Sequence, residues 1–516
     1  MARQRGNIGR KLVATLAACV ASIAIMGSQG NASEADDTLR LAWGGGAGPL
    51  ETANVYFTNS RTGIWLAMNV WDALVYRNPE TMEYEPLLAE SWERVDDLTL
   101  EFKLRKGIKF HNGEAFDAND VVATINWAVD PASGVLKARE TAWIDRAEQV
   151  DDETVRIIAK KVFPAAMDYL ATLPIYPDQY MAEAGREGMA AKPVGTGPYR
   201  IEGLDPTREY RLVANTDYSW GSPKQAPKIG KVVIREIQDL QTQVAELVSG
   251  GIDLSADIQS DQASQLKNMR GLTVTTGETM RISYLGLDAS GRSGDKYLSN
   301  LNVRQAINLA FNREAYRKAL FGDAARNIHV SCYPSQFGCD DSNAVRYGYD
   351  PEKAKQLLAE AGFADGIKID LFTVPSVWVD PIVADLAKVG ITVNVNAMPW
   401  GSLSPKITAG EVPVLADNHG SYSINDASAS IGYFFGGGAN DYSRDAEVTQ
   451  WLAEAEGTMD PEARKALYAK AIERVTSQAY HVPMSSHVRH YVHSDKLSMK
   501  PHGDEILRLF EYSWGK

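Results

Sequence analysis

The chain runs to 516 residues, more than one compact core organises, so two or three domains are expected. Its 44% hydrophobic and 23% charged residues are ordinary for a soluble globular protein. A net charge of −13 repels polynucleotides and anionic membrane surfaces, which argues against nucleic acid as a partner.

At the N-terminus, Arg3, Arg5, Arg10 and Lys11 precede an apolar stretch from Leu12 to Met26, and small residues follow around Gly30-Asn-Ala32. This is the pattern of a secretory signal peptide over residues 1–32, too short for a membrane-spanning helix. Leu16-Ala-Ala-Cys19 also matches a lipoprotein cleavage box, but the apolar run continues past it, so cleavage near Ala32 is expected, with lipid anchoring at Cys19 as the alternative. Residues 1–32 hold four positive charges and no negative ones, so the cleaved chain has a net charge of −17.

Leu39 to Trp43 reads as a strand that ends in the run Gly44-Gly-Gly-Ala-Gly-Pro49, a setting in which a backbone can approach a ligand. Apolar spacings of three and four predict an amphipathic helix from Trp65 to Tyr76. Further on come a half-buried strand at Leu98 to Leu104, a hairpin turn at Asn112-Gly113, and a helix start at Asp117 to Asp120. His111 lies in that turn with no nucleophile or metal-ligand partner nearby in sequence, and surface hydrogen bonding is its expected role. A strand pair around Val150 to Ile158 closes a small α+β unit spanning roughly residues 78–175.

The next segment begins Lys192-Pro-Val-Gly-Thr-Gly-Pro-Tyr-Arg200, continues through Asn215-Thr-Asp-Tyr-Ser-Trp-Gly221 and Ile234 to Asp239, and ends at Val248-Ser-Gly-Gly-Ile-Asp253. Beyond it, a strand is predicted at Arg281 to Asp288 and helices at Asn302 to Asn312 and Asp350 to Gly362, the latter with an Asp cap, Pro in the first turn and a Gly stop. Strand, helix, strand over Ile367–Thr373, Val379–Val389 and Ile391–Asn396 suggests a parallel α/β unit. Cys332 and Cys339 flank a six-residue loop, and in an oxidising exported compartment they are expected to form a local disulfide, free buried thiols being the alternative.

The elements from Lys192 to Asp253 occur in the order found in the large extracytoplasmic solute-binding proteins of ABC importers, solute-binding family 5, which includes oligopeptide-, dipeptide- and nickel-binding members. The block from Leu88-Ala-Glu-Ser-Trp-Glu93 through Leu104-Arg-Lys-Gly-Ile-Lys-Phe-His-Asn-Gly-Glu114 to Asp117-Ala-Asn-Asp-Val-Val122 is similar to the same family and is the more specific signal. The resemblance spans nearly all of residues 38–512. It implies a periplasmic-binding-protein-like α/β fold of the large type II kind, two lobes joined by hinge strands with an inserted α+β domain. The implied division is lobe I from 33–77, 176–279 and 476–516, the inserted domain II from 78–175, and lobe III from 280–475.

The same resemblance implies a monomeric, non-catalytic periplasmic receptor without a cofactor, which captures a small polar solute and delivers it to permease subunits driven by cytoplasmic ATPases. In such proteins the ligand lies between the lobes. The resemblance points there to Trp400, whose indole could stack on a ligand or pack in a core, and to the stretch Asp417 to Asp426. Peptide-binding members carry Gly-Trp and, three residues on, an Asp that pairs with the peptide amine. Here His419 stands in the Trp position and Tyr422 in the anchor position, so Asp417 or Asp426 is the candidate replacement anchor. His419, Tyr422 and Asn425 are candidate hydrogen-bonding partners, and Trp43 and Tyr284 complete the candidate ligand-facing set. Should neither carboxylate point inward, a sugar or an opine-like conjugate becomes the alternative ligand.

Five of the eight histidines, His481, His487, His490, His493 and His502, fall late in the chain. On a strand, His487 and His493 share one face and His490 takes the other, so no metal site is expected. An exported hydrolase is the competing class, although neither GxSxG nor HExxH occurs.

Overall fold

The computed structural model describes residues 32–515 except 45–49, 51, 59, 137, 206, 207, 377 and 422. The expected signal peptide, Cys19, most of the Gly44–Pro49 run and Tyr422 therefore lie outside the described residues. Among the described residues no helix is long and apolar enough to cross a membrane.

β1 (Thr38–Trp43) is buried at five of its six positions, as expected of a strand covered on both faces. β2 (Val75–Arg77) and β3 (Tyr84–Pro86) form a short hairpin. β4 (Ala89–Arg94), β5 (Thr99–Leu104), β6 (Ile144–Asp151) and β7 (Thr154–Ala159) make an antiparallel sheet ordered β4-β5-β7-β6. The helix Ala118–Val129 packs on this sheet; Asp117 accepts from Asn119 N, and Asp120 returns a bond from Asp117 N, a reciprocal cap that matches the predicted start.

The remaining long strands join one mixed sheet. They are β8 (Tyr199–Asp205), β9 (Glu209–Ala214), β10 (Lys231–Glu236), β11 (Leu254–Ile258), β12 (Leu272–Leu287), β13 (Ile367–Thr373), β14 (Ile391–Ala397), β15 (Val414–Gly420) and β16 (His481–Ser494). With β1 they run in the order β14-β13-β15-β12-β16-β11-β1-β10-β9-β8. β17 (Leu497–Ser498) and β18 (Ser513–Trp514) form a separate pair. β13 and β14 pair in parallel through seven residues, flanking the helix Asp380–Ala387, the arrangement that the strand, helix, strand pattern predicts.

Two strands carry the sheet from one half to the other. β12 has sixteen residues and β16 fourteen, and they pair antiparallel along nearly their whole lengths. The register slips between Glu278 and Ile282, a bulge that bends both strands at mid-length. On one side of it β16 also pairs with β11; on the other, β12 pairs with β15 from Arg281 to Leu287.

One predicted helix is shorter than its pattern. The apolar spacing continues to Tyr76, yet the helix covers Arg61–Val70, and Trp71 is extended. The cause lies far away in sequence. Gly197 N donates to Val70 O at 2.9 Å, and the Lys224 ammonium donates to Met68 O and Trp71 O, both at 2.8 Å. These distant donors take the terminal carbonyls, and the cation lies at the negative end of the helix dipole. A Cβ on Gly195 would lie 2.2 Å from Val70 O, so any side chain there would push the turn away from the helix end.

Cys332 and Cys339 form a disulfide with Cα atoms 5.9 Å apart. The closed loop is fastened to residues 424–430. Phe337 N donates to Asn425 O at 2.8 Å, Ala427 N donates to Phe337 O at 2.9 Å, and Ser430 Oγ donates to Gln336 Oε1 at 3.1 Å. Replacing both cysteines by serine should lower stability by about 2 kcal/mol from the loop length alone, read as a shift in urea midpoint without change in slope.

Candidate functional site

Two adjoining cavities, of about 500 and 370 Å3, share Trp400, His419, Gly420 and Tyr433 in their walls and form one cleft. The larger is bounded by the helix Arg61–Val70 with residues 71–76, by 171–174, and by the stretch 419–424. The smaller is bounded by β12, the end of β15, His481 and Tyr442.

Trp400 opens the helix Trp400–Ala409 directly after Pro399, and its side of the helix faces both cavities. It is 48% exposed, so core packing does not account for it. Pairing of β12 with β15 sets Tyr284 opposite Asp417, and both line the smaller cavity. Tyr284 stacks on His481 at 4.9 Å and contacts Phe434 at 4.7 Å, which makes a continuous aromatic floor.

Asp417 has no salt bridge among the described residues. Burial pushes its carboxyl up to about 6, against a backbone hydrogen bond from Asn418 and the charge of Arg281. His419, also at the cleft, donates Nε2–H to Ala429 O at 2.9 Å and stacks on Tyr433 at 4.9 Å.

Other candidates sit elsewhere. Asp426 accepts a two-pronged salt bridge from Arg464 at 2.7 and 2.9 Å, a hydroxyl from Tyr468 at 3.1 Å, and the N–H of Ser428. With its acceptors occupied and its side chain outside both cavity walls, it has no capacity left to anchor an amine. Asn425 is also absent from the walls, its backbone N–H donating to Asp168 at 3.1 Å. Trp43 is buried against Trp65 at 5.7 Å and Tyr210 at 6.0 Å, so its ring belongs to the core rather than to the cleft. Tyr422 lies outside the described residues.

A buried ion pair in the larger cavity escaped the sequence reading. Lys224 Nζ lies 2.9 Å from Asp72 Oδ1, and both residues line the wall. Asp72 also accepts from Tyr218 and Thr196, each at 3.0 Å. Burial pulls the Lys224 ammonium below its ordinary range, and Asp72 opposes that shift. The signal was a carboxylate at position 72 inside the apolar run Val70 to Val75, since a buried charge requires a partner.

The histidines are dispersed. Burial holds His481 and His487 at about 3, hence neutral. His490 bonds Ser260 and Thr276, and His493 bonds Thr275. No group of three metal-ligating side chains occurs among the described residues. His111 bonds Gly197 O at 3.0 Å, tying the hairpin turn to the glycine motif.

The cleft is concave and aromatic-walled and lies beside the two long strands of the sheet, the setting in which small molecules are bound. The chain matches the bacterial extracellular solute-binding proteins, family 5 Middle, over residues 83–442, and it belongs to that family. It is 29% identical over 471 residues to heme-binding protein A of Haemophilus influenzae, covering 82% of each chain. It is 29% identical over 390 residues to di/tripeptide-binding protein 2 of Pseudomonas aeruginosa, covering 69% of this chain and 71% of the relative. Among solved structures it is similar to the ABC transporter-associated periplasmic binding protein DppA of Helicobacter pylori in complex with the peptide STSA. That likeness has a TM-score of 0.79 and 26% identity, covering 93% of this chain and 98% of the other.

Replacing Asp426 by alanine leaves the Arg464 guanidinium buried without its carboxylate. The expected loss is about 3–5 kcal/mol of folding stability, measured by urea denaturation of the ligand-free protein.

Proposed function

We propose that this protein captures an amine-bearing, peptide-type solute in the cleft on the periplasmic side of the membrane and presents it to ABC permease subunits driven by cytoplasmic ATPases. The observation that carries this reading is Asp417, a carboxylate without a salt bridge among the described residues, set in an aromatic-walled cavity beside Trp400. A desolvated carboxylate in such a place is complementary to an ammonium group, and the exposed indole supplies a stacking wall for the adjoining peptide plane or side chain. The names of the similar di/tripeptide- and peptide-binding proteins support this class of ligand.

A hydrolytic reading finds little support in the cleft. Ser423, a hydroxyl in the larger wall, donates to Asp504 at 2.9 Å rather than to a histidine base.

A thermal-shift screen of short peptides tests the reading: at least one free-amine peptide should raise the melting temperature, whereas turnover of a peptide or ester without any such shift would refute it. Trp400→Ala should weaken the best ligand by about 1–3 kcal/mol in titration calorimetry while leaving the ligand-free melting temperature nearly unchanged, because the ring is half exposed.

Affinity should also depend on pH. Below about 6 the Asp417 carboxyl is protonated in the free protein, and binding a cation must expel that proton, so affinity falls as pH falls. From pH 7 to pH 5 the expected loss is about tenfold, since a peptide amine stays charged over that range. The groups around Asp417 are Arg281, Tyr284, His419 and His481. Tyr284 lies well above its ordinary value through burial, and His481 is already neutral. Asp417→Asn should therefore flatten the pH profile; a profile that persists in this variant would refute Asp417 as the source of the dependence.

A further inference from the structure

Resting on the amine-anchored reading above, we infer that the larger chamber receives a bulky apolar part of the ligand that carries no carboxylate, so the preferred solute class is an amine-headed peptide derivative with a neutral far end, such as a peptide amide or a capped conjugate.

The walls of the larger chamber are mainly apolar, with Ile64, Met68, Trp71, Leu87, Ile424 and Ile506 facing its space. Among the described residues, three charged groups also line it: Asp72, Lys224 and Glu140. An ammonium has three N–H donors. On Lys224 these go to Asp72 Oδ1 at 2.9 Å and to Met68 O and Trp71 O at 2.8 Å, so none remains for a ligand. Asp72 is likewise engaged, by Lys224, by Tyr218 and by Thr196.

A ligand carboxylate entering this chamber would lose its water and meet, among the described residues of the wall, one cation without a spare donor and the carboxylate of Glu140. Burial of an ionised carboxylate without a partner costs several kcal/mol, which is enough to exclude it. The cation of the smaller chamber, Arg281, lines that chamber and not the larger one. It bonds Glu505 through Nε at 3.1 Å and Asn418 through Nη1 at 2.6 Å. A neutral apolar end loses nothing on entry and gains from the buried area. Trp400, His419 and Tyr433, which border both chambers, form the passage between the amine site at Asp417 and the apolar space.

Titration calorimetry of the mature chain at pH 7 with three probes tests this. Leu-Phe amide has the amine and no carboxylate, Leu-Phe has both, and N-acetyl-Leu-Phe amide has neither. The expected result is that Leu-Phe amide binds at least tenfold more tightly than Leu-Phe and than the acetylated form. A gap between amide and free acid smaller than tenfold, or a reversed one, with the acetylated probe still weaker, overturns this inference and leaves the amine-anchored reading standing. Equal binding of the acetylated probe, or no binding of any of the three, overturns both.

Discussion

The arrangement of this molecule depends on five charges, three buried and two half-buried, where its crossing strands meet. Glu505 accepts from Arg281 of β12 at 3.0 Å and from Arg489 of β16 at 2.6 Å, and it lies 3.7 Å from Arg61 of the first long helix. Asp257 of β11 pairs with Arg489 and, at 3.6 Å, with Arg61. Burial alone would raise Glu505; Arg281 and Arg61 outweigh it and hold the carboxyl below its ordinary value. Such an array adds little net stability over an apolar core of the same volume, but any other register would strand at least one charge in the interior. Glu505 itself adopts a left-handed backbone with φ 64°, and its carbonyl accepts from Trp65 Nε1 at 2.7 Å. The array therefore fixes β11, β12, β16 and the helix Arg61–Val70 against one another, and these elements carry the cleft.

From that frame the site is assembled by partners distant in sequence. The glycine turn at 195–197 closes on the end of the helix, Thr196 bonds Asp72, and Asp72 with Lys224 forms a finished, charge-neutral piece of wall. The glycine motif thus braces the cleft wall from behind through Val70 and Asp72, while none of its own residues lines either cavity. On the opposite side, β15 delivers Asp417 and His419 to the cleft, and the disulfide loop holds the following segment in place.

Much of the local structure was legible because its causes are local. Caps at Asp117 and Asp350 and the cysteine spacing each depend on residues within a few positions of one another, and the parallel pair at 367–397 is joined by a single short helix. The site was less legible. Asp417 and Asp426 are alike in composition and context, and only Arg464, 38 residues beyond Asp426, separates a structural carboxylate from an unpaired one. The helix ending at Val70 and the ion pair at 72 and 224 were hidden for the same reason. Trp43 follows the strand pattern faithfully, but alternation cannot tell which face meets a cleft when both faces are buried.

The shared sheet has a mechanical meaning. Because β12 and β16 run through both halves and pair with each other on either side of the bulge, the halves form one elastic plate rather than two beads on a cord. Such a plate resists sliding, since shear would break the ladder, and yields in twist and bend where the ladder is already interrupted, at Glu278 to Ile282. Any relative movement of the two parts of the sheet is therefore expected as bending and twisting about that point rather than as sliding of one part past the other.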